Sequence, residues 1–193
     1  MRRECGGHTN EEIEQVVALL RTELERATEE LEAIYPGEDA SRLDEIWTAC
    51  WELLHEVAGV GSSRIAVGLC AEHVLKVDLG SGRQNENEWA VWQAAQGELR
   101  GWLCPILDQG QSGGSGWLLV ARTQKVAKLE ESTMAMVERM HGLDDLEGYS
   151  EAMGGIDWMV GNFGELEGRQ VIIDYGDCDP QAVCLEPAPP VLQ

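Results

Sequence analysis

The chain is 193 residues long, which predicts one domain with a helical extension. With 14 Lys and Arg against 35 Asp and Glu, the formal charge is −21, and 44% of the residues are hydrophobic. That composition belongs to a folded protein and excludes an acidic disordered tail. No apolar run is long enough for a spanning helix, and Met1 to His8 lack the apolar stretch of a secretory signal. The negative field disfavours non-specific binding to nucleic acid or an anionic membrane, so a cytoplasmic protein is expected. The charge itself reads first as a solubility device, with salt adaptation or imitation of DNA toward a basic partner as the other readings.

In chain order, Thr9-Asn10-Glu11-Glu12 fits a capping box. Ile13, Val16, Val17, Leu20, Leu24, Ala27, Leu31 and Ile34 follow at steps of three and four, predicting one amphipathic helix that stops at Pro36-Gly37. A second helix is predicted from about Ala40 to Val57, burying Leu43, Ile46, Trp47, Cys50, Leu54 and Val57. Together they make an antiparallel hairpin that packs onto the rest of the chain or receives a protein partner. Strands are predicted at Arg64–Leu69 and His73–Leu79, turning near Ala71-Glu72. A helix follows over Glu86–Leu99. Strands at Trp102–Leu107 and Gly116–Ala121 flank a Gly/Ser loop. Gln124–Met140 is predicted helical and Gly154–Gly164 irregular. The last strand, Gln170–Ile173, is followed by Asp174-Tyr175-Gly176 and a proline-rich tail.

His8, His55, His73 and His141 lie far apart and are expected as surface or capping residues. The six cysteines, at 5, 50, 70, 104, 178 and 184, read as reduced and mostly buried thiols, although Cys178 and Cys184 are close enough to bridge under oxidation. Trp47, Trp51, Trp89, Trp92, Trp102 and Trp117 suit core packing better than base stacking, because basic residues do not alternate with them.

A spaced set of residues carries the chemistry. Gly59-Val60-Gly61-Ser62-Ser63-Arg64 is a glycine turn before a strand, and Lys76 sits in the apolar run Val74-Leu75-Lys76-Val77. Glu88 lies on the following helix, preferred over Glu86 because it falls one turn before Trp92. Asp157 and Asn162 bracket Trp-Met-Val-Gly, and Asp174-Tyr175-Gly176 closes the last strand. From about Ala58 to Gly176 this order resembles the protein-kinase-like superfamily, in particular its compact phage and bacterial members.

The resemblance implies an α+β, protein-kinase-like fold. An N-terminal helical hairpin (1–57) would precede a small antiparallel-sheet N-lobe (58–122). A reduced helical C-lobe with catalytic and metal loops (123–180) and a flexible tail (181–193) would follow. It implies ATP and Mg²⁺ as cofactors, with Gly59, Gly61 and Ser62 bringing backbone N–H groups to the phosphates. Lys76 would neutralise phosphate charge while held by Glu88, Asn162 and Asp174 would supply hard oxygen ligands to magnesium, and Asp157 would act as the base. Opposite charges 4 Å apart attract by roughly 4 kcal/mol at an effective dielectric of 20, which is how Lys76 would locally override the charge of the chain.

Some positions depart from the family pattern. Gly155-Ile156 replaces the usual His-Arg, Met159 stands where Lys or His is common, and Tyr175 replaces Phe. Few residues follow Gly176, so the protein-substrate platform of an ordinary kinase is expected to be missing. Three readings follow: a compact ATP-dependent phosphotransferase acting on a hydroxyl acceptor, a kinase-like pseudoenzyme that binds nucleotide or a partner, and an acidic decoy for a basic nucleic-acid-binding surface. A nucleotide is the expected partner, with no membrane and no direct nucleic acid. The setting would be the host cytoplasm if the chain is phage-encoded.

Overall fold

The computed structural model describes residues 7–34, 57–60, 64–78, 83–135 and 160–176. The chain divides into two compact units: Met1–Gly82 with Leu107–Val120, and Arg83–Ile106 with Ala121–Gln193.

The first unit is a helix on a sheet. Helix α1 spans Asn10–Ile34, and its capping box is reciprocal: the Glu12 N–H donates to Thr9 Oγ1 at 3.2 Å, and the Thr9 N–H donates to Glu12 Oε2 at 3.1 Å. Five strands follow: β1 (Val57–Val60), β2 (Arg64–Gly68), β3 (His73–Asp78), β4 (Ile106–Ser112) and β5 (Ser115–Ala121), in the spatial order β1-β2-β3-β5-β4. Strand residues two apart share a face. Ile65 and Val67, Leu75 and Val77, and Trp117 and Leu119 therefore make one apolar surface, and Ile13, Val17 and Leu20 of α1 complete its core. Each such side chain contributes about 1.5–3 kcal/mol when fully buried. The stripe read from the sequence is thus taken up by the sheet at these three positions. The opposite face carries Lys76 and Asp78, both buried. Gly113 and Gly114 join β4 to β5 with φ of 56° and 87°, the two positive values that a tight hairpin turn requires.

The second unit holds helices α2 (Gln84–Ala94) and α3 (Gly97–Trp102) and a sheet of β6 (Gln124–Lys125), β7 (Phe163–Leu166) and β8 (Arg169–Ile172), in that order. Arg100 of α3 stacks 3.3 Å above the Trp92 ring and donates to the Trp92 carbonyl, tying α3 to α2. The Cys104 N–H donates to the Ile172 carbonyl at 2.8 Å, anchoring the segment after α3 to β8. Gln170 is buried and makes three side-chain hydrogen bonds. Its Oε1 accepts from the Glu130 N–H at 2.9 Å and from Thr133 Oγ1 at 2.8 Å, while its Nε2 donates to the Lys128 carbonyl at 2.9 Å.

Several elements differ from the sequence expectation. The helix expected over Glu86–Leu99 is broken after Ala94, where Ala95 and Gln96 are extended and Gly97 takes φ of 56°, a conformation glycine adopts at little cost. Trp102 ends α3 instead of opening a strand, and the Gly/Ser loop is mostly strand, with β4 running on through Ser112. Gln124 and Lys125 pair with Glu165 and Gly164 instead of starting a helix. The helix there begins only at residue 131, beyond the loop that Gln170 fastens. Phe163 and Gly164, expected to be irregular, open β7. Val57 begins β1 instead of ending a helix. The second helix of the hairpin, the Pro36-Gly37 stop and the tail lie outside the described residues.

Candidate functional site

The first cluster of expected site residues lies on the sheet face opposite α1. In the antiparallel register Gly59 pairs with Ala66, and Ala66 with Lys76. These three residues form one row across β1, β2 and β3, spanning about 10 Å at the usual strand spacing. Lys76 is 9% exposed and sits in a strand buried from Val74 to Asp78. Desolvating an ammonium in that way costs several kcal/mol unless an anion answers it. One step along the same face, Arg64 is the cross-strand partner of Asp78, and both are buried, so opposite charges flank the lysine row. Gly61 and Ser62, in the connection between β1 and β2, lie outside the described residues.

Helix α2 sorts its two candidate glutamates. Asn85, Glu88, Val91 and Trp92 make its buried face, and Glu88 is 0% exposed. Glu86 is exposed and pairs with Arg83 at 2.7 Å. A carboxylate withdrawn from water to that extent is stable only with a charged or strong hydrogen-bonding partner.

The third cluster stands at the open end of the β7–β8 hairpin. Register pairs run from Phe163 with Ile172 to Leu166 with Arg169, closed by a Glu167-Gly168 turn with φ of 52° and 77°. Beyond the last pair, the Ile173 N–H donates to the Asn162 carbonyl at 2.8 Å. The hairpin therefore joins the backbone at Asn162 to that of Ile173, the residue before Asp174. Asp174 is exposed and Asn162 partly so. An amide oxygen together with a carboxylate would be a hard oxygen donor set of the kind magnesium takes while retaining waters. Asp157 lies outside the described residues.

Tyr175 shows why an aromatic other than Phe stands after Asp174. Its ring is buried and its hydroxyl donates to the Cys104 carbonyl at 2.9 Å. The residue following the candidate metal ligand is thereby fixed to the segment that also hydrogen-bonds β8.

No protein-family model and no curated protein matches the sequence. Among solved structures the chain is similar to monomeric WbdD, with 18% identity and a TM-score of 0.36 over 62% of this chain and 33% of that one. A second is WbdD co-crystallised with the kinase inhibitor LY294002, with 15% identity and a TM-score of 0.32 over 61% of this chain and 31% of that one. The chain thus spans about a third of the length of those proteins. Among the described residues no helix is long and apolar enough to cross a membrane.

Sequence reasoning missed two features. Gln170, which holds the loop before residue 131, gave no local signal because its partners are about forty residues away. The other is a group formed by His8, Cys70 and His73, in which both histidines are partly buried. Its signal was present as a repeated spacing, Cys5-Gly6-Gly7-His8 and Cys70-Ala71-Glu72-His73. Cys70 is also disulfide-bonded, against the expectation of a reduced thiol, whereas Cys104 is a buried thiol, as expected.

Proposed function

We propose that this chain is a compact kinase-like phosphotransferase that binds ATP with magnesium and transfers a phosphoryl group to a hydroxyl acceptor. The observation that carries the reading is the 2.8 Å backbone bond from the Ile173 N–H to the Asn162 carbonyl, which joins the two segments that bear the candidate metal ligands Asn162 and Asp174. Further support comes from a lysine on the third strand of an antiparallel sheet, followed by a helix with a buried glutamate, the order in which protein kinases hold their phosphate-binding lysine.

In this reading Lys76 neutralises phosphate charge and Glu88 is its counter-ion. The glycines at 59 and 61 and Ser62 let the β1–β2 connection approach the phosphates. Asn162 and Asp174 hold the magnesium, which when bound offsets charge on the phosphate oxygens. Asp157 orients the acceptor hydroxyl and takes its proton.

A second reading, nucleotide binding without turnover, is favoured by Met159 and by Gly155-Ile156 in place of His-Arg. Both predict a rise in melting temperature with ATP and magnesium that EDTA reverses, and no shift at millimolar nucleotide removes both. Labelled phosphate transfer lost in Asp157→Ala, with ATP binding retained, selects the first. Equal absence of transfer in the parent chain selects the second.

A further inference from the structure

The Lys76 face of the first sheet carries two further charges that the proposed function leaves without a role. Ile65, Val67, Leu75 and Val77 pack with α1, so by the alternation of a strand Arg64, Ala66, Lys76 and Asp78 share the other face. Arg64 is 6% exposed and Asp78 3%. The register pairs Arg64 with Asp78 and Ala66 with Lys76. Cross-strand partners have Cβ atoms about 5 Å apart, and the diagonal from Arg64 to Lys76 is about 7–8 Å. Lys76 and Asp78, two residues apart on one strand, are separated by about 7 Å. Backbone pairing alone therefore gathers two cations and one carboxylate in a small buried patch of the first unit.

Stability does not explain the patch. Burying an ion forfeits its hydration, and a buried ion pair is often no more stable than apolar residues of the same size; Val74, on the same face of β3, is such a residue. Charge does explain it. A chain at −21 that takes up a polyanion must concentrate cations locally, and Arg64 and Lys76 against Asp78 leave a surplus of one positive charge on this face. A guanidinium has five N–H donors and an ammonium three, more than one carboxylate can accept. Position agrees with this. Arg64 opens β2 directly after the connection from β1, and the Arg64–Asp78 row lies on the side of Lys76 nearest that connection. An anion that runs from Lys76 toward the glycine connection passes Arg64.

We propose, building on Lys76 as the phosphate-binding lysine of the proposed function, that Arg64 is a second phosphate ligand and that the pair selects a chain of phosphates over a single one. The guanidinium fork takes two oxygens of one phosphate group, and the ammonium meets a neighbouring group as a point charge. A diagonal of about 7–8 Å between the two residues suits neighbouring groups of a polyphosphate, because both long side chains reach inward from it. Asp78 is a positioning residue. Its short side chain keeps a carboxylate beside Arg64 and fixes where the fork stands, and without Arg64 that carboxylate would repel the ligand. The chemical class recognised is a linear polyphosphate, whether carried by a nucleoside or free.

The test is calorimetric titration of the full chain with ATP, AMP and sodium tripolyphosphate, each with magnesium. The parent should bind ATP at least about tenfold more tightly than AMP. Arg64→Met should weaken ATP by about tenfold or more and AMP by less than about twofold, and Arg64→Gln gives the same comparison where Met disturbs folding. In Arg64→Met with Asp78→Asn the affinity for ATP should stay low. Its return to the parent value would mean that Arg64 only neutralises Asp78, and overturns its role as a ligand. ATP affinity that falls in Lys76→Met but holds in both Arg64 variants overturns this inference and leaves the proposed function standing. Tripolyphosphate bound as tightly as ATP, and weakened equally by Arg64→Met, supports Arg64 while showing that the nucleoside is not recognised, which counts against the proposed function alone. A parent chain that binds neither overturns both.

Discussion

The Asn162 carbonyl accepts a hydrogen bond from the N–H of Ile173, the residue before Asp174, at 2.8 Å. Since that bond uses only backbone atoms, the side chains can be removed without opening the hairpin end. In the proposed function, Asn162→Ala and Asp174→Ala should keep the magnesium-independent part of nucleotide stabilisation. They should lose the magnesium-dependent part of nucleotide stabilisation. Ligand at 100 times its Kd adds about 2.7 kcal/mol, so thermal unfolding with ATP, with and without EDTA, resolves the difference. A magnesium effect undiminished in Asp174→Ala would remove this residue from the site.

Lys76 occupies one cross-strand row with Ala66 and Gly59. A charge-assisted hydrogen bond from its ammonium to phosphate contributes about 1.5–3 kcal/mol, so Lys76→Met should weaken ATP binding by about tenfold or more. If Glu88 is its counter-ion, Lys76→Met and Glu88→Gln should be non-additive in stability by more than about 0.5 kcal/mol. Urea titrations of the parent, the two single variants and the double variant measure this, and strict additivity would disconnect the pair.

What was legible in the sequence was local or periodic. The Thr9–Glu12 box and the Ile13, Val17, Leu20 stripe are short-range patterns, and they fold as read. Strands β2 and β3 announced themselves by apolar runs around a turn. What was not legible depends on distant pairing. Phe163–Leu166 is glycine-containing and becomes β7 only because β6 and β8 flank it. Gln124 and Lys125 are drawn into β6 by the same sheet despite a helical apolar spacing downstream. The His8, Cys70 and His73 group joins two elements far apart in the chain, so each half looked like an isolated residue.

Tyr175→Phe isolates a single hydroxyl. Its hydrogen bond to the Cys104 carbonyl is 2.9 Å long and buried, and removing it leaves that acceptor without this donor at a cost of about 1–3 kcal/mol. Chemical denaturation should show that loss with an unchanged dependence on denaturant concentration. ATP affinity should stay within about twofold of the parent, because Phe preserves the buried ring that follows Asp174. A variant as stable as the parent would mean that the carbonyl finds another donor.

Gln170 gives the sharpest stability prediction in the second unit. Its three side-chain bonds go to Lys128 and Glu130 in one short loop and to Thr133 in the first turn of the helix that follows, and it acts from β8 as a distant cap on that helix, which begins at residue 131. Gln170→Ala strips the partner from three polar groups, of which the Thr133 side chain lies in a residue only 1% exposed. At about 1 kcal/mol for each net hydrogen bond, with more where a group stays buried, the expected loss is about 2–4 kcal/mol. Gln170→Glu keeps both acceptor contacts and gives up the donor to Lys128, so it should fall between parent and Ala. Hydrogen exchange distinguishes the cause: the amides of Glu130 and the following turn should lose protection in Gln170→Ala while those of β2 and β3, in the other unit, hold theirs. Uniform loss across both units would instead mean that the residue sets the stability of the whole chain and does not cap one helix.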